Sequence, residues 1–258
     1  ANYLETNFPE YNVEKIYFDS YRQQTTPGGN RYPDVNSAIN SRVFAGNLVM
    51  NYVGHGGESG WAHERVLGTG DIASWTNYDK LPLFITATCS FSRYDNPGLT
   101  SAGEVLITTP NGGSIGNVTT VRLVYASSNQ RMNEDFLHHL FKPINGKMPA
   151  IGEVLRRGKN DAAITGTNNR KFVLLGDPAI TLAYPQYQAV ATTINSKPVG
   201  NGSLDTLIAL SKVTITGEVR DAQNQRLNSF NGRVYPTIFD KRVNVPTLAN
   251  DSKSPVTT

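Results

Sequence analysis

Two short apolar runs, each ended by a reactive side chain, constrain this chain more than any other feature. Residues 47–53 stop at Gly54 and His55, and residues 81–88 stop at Cys89. Both runs are short for helices, β-branched or aromatic in character, and closed by small or polar residues. They read as buried strands of a sheet covered on both faces. Residues 113–118 supply a third strand. Between and after these runs the apolar spacing predicts helices over 36–44, 100–108, 129–141 and 149–164. Met132, Phe136, Leu137, Leu140 and Phe141 recur at helical spacing before Pro143, and Pro149 suits a first helical turn. Strands alternating with helices of about 10–15 residues predict an α/β layered fold with a largely parallel sheet.

After residue 187 the helical periodicity ends. Short alternating strands are predicted at 189–194, 213–219 and 233–239, separated by turn signals at Asn201-Gly202 and Asn231-Gly232. The expected division is therefore 1–187 for the α/β unit and 188–258 for a β-sandwich, short enough to be incomplete.

Composition narrows the class. A 38% hydrophobic content over 258 residues can fill a core and excludes a disordered chain. The net charge of +3, with Lys and Arg scattered, argues against nucleic acid as a partner. One cysteine forms no internal disulfide and no multi-Cys zinc site. No stretch is long and apolar enough to span a bilayer, and neither end reads as a natural terminus. The chain is expected to be part of a longer exported protein whose signal segment lies outside it. Low charge with plentiful Ser, Thr, Asn and Gly leans the same way.

The chemistry follows from the strand ends. In open α/β sheets, ligands bind at the carboxyl ends of the parallel strands. If the two runs are neighbours, the imidazole of His55 and the thiol of Cys89 emerge on one edge. A nearby imidazole can deprotonate a thiol or hold the thiolate as an ion pair. The glycines around His55 expose backbone N–H groups, which with the N–H of Cys89 suit an oxyanion. A small core cysteine and a turn histidine are the plainer readings of the same two residues. The glycines fit neither a P-loop nor G-x-G-x-x-G.

Other residues are weaker candidates. His63 reads as a surface-loop histidine able to meet substrate. His138 and His139 are adjacent on a helix, point about 100° apart and read as structural. Asp177 before Pro178 follows an apolar strand and reads as a turn or cap residue, with a catalytic role as the alternative. Arg122 either binds a substrate carboxylate or pairs with a structural acid. Trp61 and Trp75 flank the loop after His55 as cleft wall or as packing. Glu58 and Asp71 are the nearest downstream acids, and both read as solvated loop residues. No metal ligand set is assigned and no cofactor is called for.

The segments 52–57 and 86–89 resemble the His-Gly and Cys blocks of the gingipain family of caspase-like cysteine peptidases. Residues 87–97, 101–104, 119–125 and 174–179 are similar to the branch of that family that serves as sortase of the type IX secretion system. The likeness spans roughly residues 35–190. It implies a caspase-like sheet with flanking helices, followed by an immunoglobulin-like domain. It implies Cys89 as nucleophile, His55 as its acid/base partner, and the N–H groups of Gly56 and Cys89 as oxyanion hole. It further implies removal of C-terminal signal domains from exported cargo proteins at the bacterial outer membrane. The acyl group then passes to a lipopolysaccharide amine at the cell surface, alongside other outer-membrane secretion components. A secreted endopeptidase using water only and a non-catalytic scaffold of the same fold are the alternatives. Family members carry a longer segment before the His block, with an acid that orients the histidine; only 54 residues precede His55 here.

Overall fold

A computed structural model describes residues 2–161, 166–200, 207–208, 210–236, 238, 244 and 246–250. Two compact units are formed: Ala1–Leu182 together with Asn244–Thr258, and Ala183–Val243.

The first unit is built on a four-stranded sheet in the order β1 (Val49–Val53), β2 (Leu83–Ala87), β3 (Gly116–Thr120) and β4 (Phe172–Gly176). β1, β2 and β3 run parallel, and β4 runs antiparallel to β3. β2 and β3 are buried along their whole length, as a central position requires. β3 nevertheless carries Asn117, Thr119 and Thr120. Burial is tolerated because their polar atoms are paired: Asn117 donates to Ser92 Oγ (3.2 Å) and Ser92 to Thr119 Oγ1 (2.9 Å), while Thr120 donates to Thr88 O. β1 departs from the expectation of cover on both faces. It lies at the edge of this sheet, and alternation turns Asn51 and Val53 to solvent, Val53 being 49% exposed.

Four helices flank the sheet: α1 (Pro33–Ala45), α2 (Ala102–Thr108), α3 (Ala126–Leu140) and α4 (Ile151–Asn160). Pro33 opens α1, where its missing N–H costs nothing, and Gly46 closes it at φ +90°. Glu104 caps α2 by accepting from Ser101 N (2.8 Å) and Ser101 Oγ (2.6 Å). The helix expected over 149–164 spans a shorter range, and 162–165 lie outside the described residues. On one face Val35, Ile39 and Val43 of α1 pack with Tyr52, Trp61, Trp75, Phe84 and Leu106. Leu83 points the other way, toward Ile151 of α4 and Leu174 of β4 at Gly116. Helices thus cover both faces, which makes an α/β/α layered unit.

In the second unit Gln188–Ile194 pairs antiparallel with Lys197–Pro198 on one side and Ile215–Arg220 on the other. The strand expected at 233–239 is absent among its described residues, with Val234 and Tyr235 largely exposed and unpaired with any strand; 237 and 239 lie outside those described. One three-stranded sheet is formed there, and a second sheet, as a sandwich requires, is not present among the described residues.

Candidate active site

The register of β1 and β2 sets the site. Val53 lies opposite Ala87, and Gly54 N donates to Ala87 O (3.4 Å). His55 and Cys89 each lie two residues beyond that pair. They leave the sheet at the same step of adjacent parallel strands, whose axes are about 4.8 Å apart.

On the histidine side, His55 O accepts from the Tyr52 hydroxyl (2.7 Å) and from Ala62 N (2.8 Å). The Tyr52 ring is buried and stacked on Trp61 at 4.3 Å. Burial pushes its phenol well up, so it remains a proton donor to the His55 carbonyl. The strands Gly56–Gly57, Gly60–Trp61 and Leu67–Gly68 form an antiparallel ribbon after His55. Gly56 faces Trp61, and the Ala62 N to His55 O bond makes this a non-hydrogen-bonded pair. The Gly56 N–H therefore points out of the ladder and is left available. Gly56 must be glycine: a Cβ there would lie 2.6 Å from Thr88 Oγ1 and 2.9 Å from Gly60 O. His55 is exposed, and the His63 ring lies 5.8 Å from it.

On the cysteine side, the half-buried Cys89 is bracketed by the backbone N–H and carbonyl of one residue, Val124. Its Sγ donates to Val124 O (3.7 Å) and accepts from Val124 N (3.5 Å). Ser90 follows in the left-handed region at φ +50°, rare for a residue with a Cβ, and donates its N–H to Arg122 O (3.1 Å). This turn lifts Cys89 off the strand. Gly103 at the start of α2 presses on the next residues, its N–H donating to Phe91 O (2.9 Å).

A chain of charges runs along the rim. Glu58 accepts from Arg93 Nη1 (3.0 Å) and Asn96 Nδ2 (2.5 Å). Asp95 is held bidentately by Arg122 (2.9 and 2.5 Å) and lies 3.9 Å from Arg93. The bond from Asn96, followed by Arg93, lowers the Glu58 carboxyl below its usual range; Arg122 does the same to Asp95. Arg122 is thus paired with an acid, and Glu58 is an engaged residue rather than a solvated one. Trp61 is 2% exposed and offers no surface to a substrate; Trp75 is likewise buried and donates to Asn40 Oδ1 (2.6 Å). Asp71 caps the short helix Thr69–Ala73 by accepting from Gly68 N (2.8 Å). Asp177 turns the chain by accepting from Ala179 N (2.8 Å), and His138 pairs with Tyr3 (2.5 Å). Among the described residues no group of three His, Cys, Asp or Glu side chains is placed to hold a metal ion.

The profile of peptidase family C25 matches residues 1–183. The chain belongs to this family. Family C25 membership makes it a gingipain-like cysteine peptidase relative, and solved structures agree on the fold. One is the Arg-specific cysteine proteinase gingipain R (RgpB), with 20% identity and a TM-score of 0.51 over 60% of this chain and 39% of that one. Another is the complex of the pro- and mature domains of Porphyromonas gingivalis RgpB, with 20% identity and a TM-score of 0.50 over 60% and 40%. The chain spans about two-fifths of the length of these structures. No curated protein sequence matches it.

His63, Glu58 and the Val124 peptide were underrated or missed by reasoning from sequence. The glycines after His55 hint at the chain reversal that returns His63 toward it. Nothing local signals that Glu58 meets residues 35 and 38 positions away.

Proposed function

We propose that this family C25 chain works as a Cys–His peptidase with acyl-enzyme chemistry. The single observation that carries the reading is the shared step of His55 and Cys89 beyond the Val53–Ala87 pair. Cys89 passes its thiol proton to His55, its Sγ attacks a peptide carbonyl carbon, and the carbonyl electrons move onto oxygen. The N–H groups of Gly56 and Cys89 receive that oxyanion. As the C–N bond breaks, His55 gives its proton to the leaving amine, and a thioester remains on Cys89. A water or a second amine then attacks the thioester while His55 takes its proton. Collapse of that adduct returns the cysteine and releases an acid or a new amide.

The finer reading is a sortase. Its substrates are exported cargo proteins carrying C-terminal signal domains, and its acceptor is an amine of a surface lipopolysaccharide. It acts at the bacterial outer membrane beside other secretion components. The resemblance of residues 87–97 and 119–125 to that branch supports this, and the exposed setting of His55 is compatible with entry of an amine. Incubation with a cargo C-terminal peptide and a small primary amine tests it. An amine-linked product is expected, and hydrolysis alone at high amine would assign the chain to the water-only endopeptidases. Absence of any Cys89 acyl adduct would leave a scaffold without turnover.

A further inference from the structure

The loop after His55 is tied to the loop after Cys89 by more than the sheet. The Glu58 carboxylate receives Arg93 and Asn96 from the segment following Cys89, at 3.0 and 2.5 Å. The Glu58 carbonyl receives the N–H of Ala102 (2.6 Å), the first residue of α2. The Glu58 side chain is only 19% exposed, although the Arg93 side chain is 45% exposed. A carboxylate that accepts an arginine on one oxygen and an amide on the other holds a loop better than an isolated surface ion pair does. Asn96 is itself oriented, its Oδ1 accepting from Gly98 N (3.1 Å). Arg93 is continued by Asp95 to Arg122, whose carbonyl receives Ser90 N. One polar chain therefore joins the three loops that carry His55, Cys89 and the Val124 peptide. No hydrogen bond from another side chain holds the His55 ring among the described residues.

We propose that Glu58 is a positioning residue: by gripping Arg93 and Asn96 it fixes the His55 loop against the Cys89 loop and so sets the separation of imidazole and thiol. The proposal rests on the Cys–His reading above. Displacements of about 1 Å in a catalytic pair cost up to about a hundredfold in rate, so a loop clamp of this kind has kinetic weight.

The test uses the full chain and iodoacetamide, followed at Cys89 as a function of pH, with thermal midpoints measured alongside. In the unaltered protein the thiol is expected to label at neutral pH about tenfold or more faster than in His55→Ala. Glu58→Ala is expected to slow neutral-pH labelling about tenfold or more, toward the rate of His55→Ala. Glu58→Gln, which keeps an acceptor but loses the charge, is expected to fall between the two, and it carries the test if Glu58→Ala does not fold. A Glu58→Ala or Glu58→Gln protein with the parental profile, even one of lower thermal midpoint, overturns the positioning role and leaves the dyad intact. A parental protein whose Cys89 already reacts as a free thiol and ignores His55→Ala overturns the dyad, and the positioning role with it.

Discussion

At the scale of the residue, the main contrast is between what Cys89 touches at rest and what it needs in order to react. Its sulfur lies between the N–H and carbonyl of Val124, a residue in the turn after β3. Removing the imidazole leaves that bracket intact, so His55→Ala is expected to keep the fold while lowering acyl-enzyme formation by about 10²–10⁴-fold. Mass spectrometry of the thioester under single-turnover conditions measures this; a loss under tenfold would remove His55 from the mechanism. Ser90 sits at φ +50°, where a β-branched side chain is strained. Ser90→Val is expected to destabilise the protein by about 1–3 kcal/mol, whereas Ser90→Gly stays near the parent in a urea titration.

The elements add constraints of a different kind, in which helices are docked through glycines. A Cβ on Gly103 would lie 1.7 Å from Ser92 Oγ and 3.0 Å from Phe91 O. Gly103→Ala is therefore expected to push α2 off the Cys89 loop at a cost of about 1–3 kcal/mol, read as a lower urea midpoint. Gly158 plays the same part where α4 crosses α3, its Cβ position being 2.3 Å from Phe136 Cδ1. α4 also carries Glu153, which accepts from Arg156 and Arg157 at 2.7 Å. These bonds, Arg156 first, lower its carboxyl from 4.5 to about 2. A folded-state value below the unfolded one stabilises the fold above pH 4.5, and that contribution fades as the pH falls toward 2. Thermal midpoints of the parent and Glu153→Gln should accordingly differ most near neutrality and converge in acid. Equal separation at both ends would show that the bonds are not ionic in origin.

At the scale of the whole molecule, the chain returns to its first unit after leaving it. Residues 248–250 are received by Asp19: Leu248 N donates to its carbonyl (2.8 Å), and Ala249 N (3.0 Å) and Asn250 N (2.7 Å) to its carboxylate. Asp19→Ala is expected to speed amide exchange at 248–250 without altering exchange in β2, since local openings are independent of the central strands. Much of the frame was legible in the sequence. The runs ending at His55 and Cys89 are strands, and helices alternate with them, because burial periodicity and residue type are local signals. Most element ends moved by no more than three residues, and the edge exposure of β1 was missed because coverage of a strand depends on its neighbours rather than on itself. Trp61, read as a possible cleft wall, is core for the same reason: its stacking partner Tyr52 is brought to it by the ribbon that folds back after His55. The available chemistry, a single thiol and a glycine-flanked imidazole at two strand ends, is written in local residue order. Folding in three dimensions supplied the register that sets them at one step, the Val124 backbone that brackets the sulfur, and the Glu58 grip across the rim. Those are contacts between residues 34 to 38 positions apart, and no local propensity encodes which distant partner a side chain will meet.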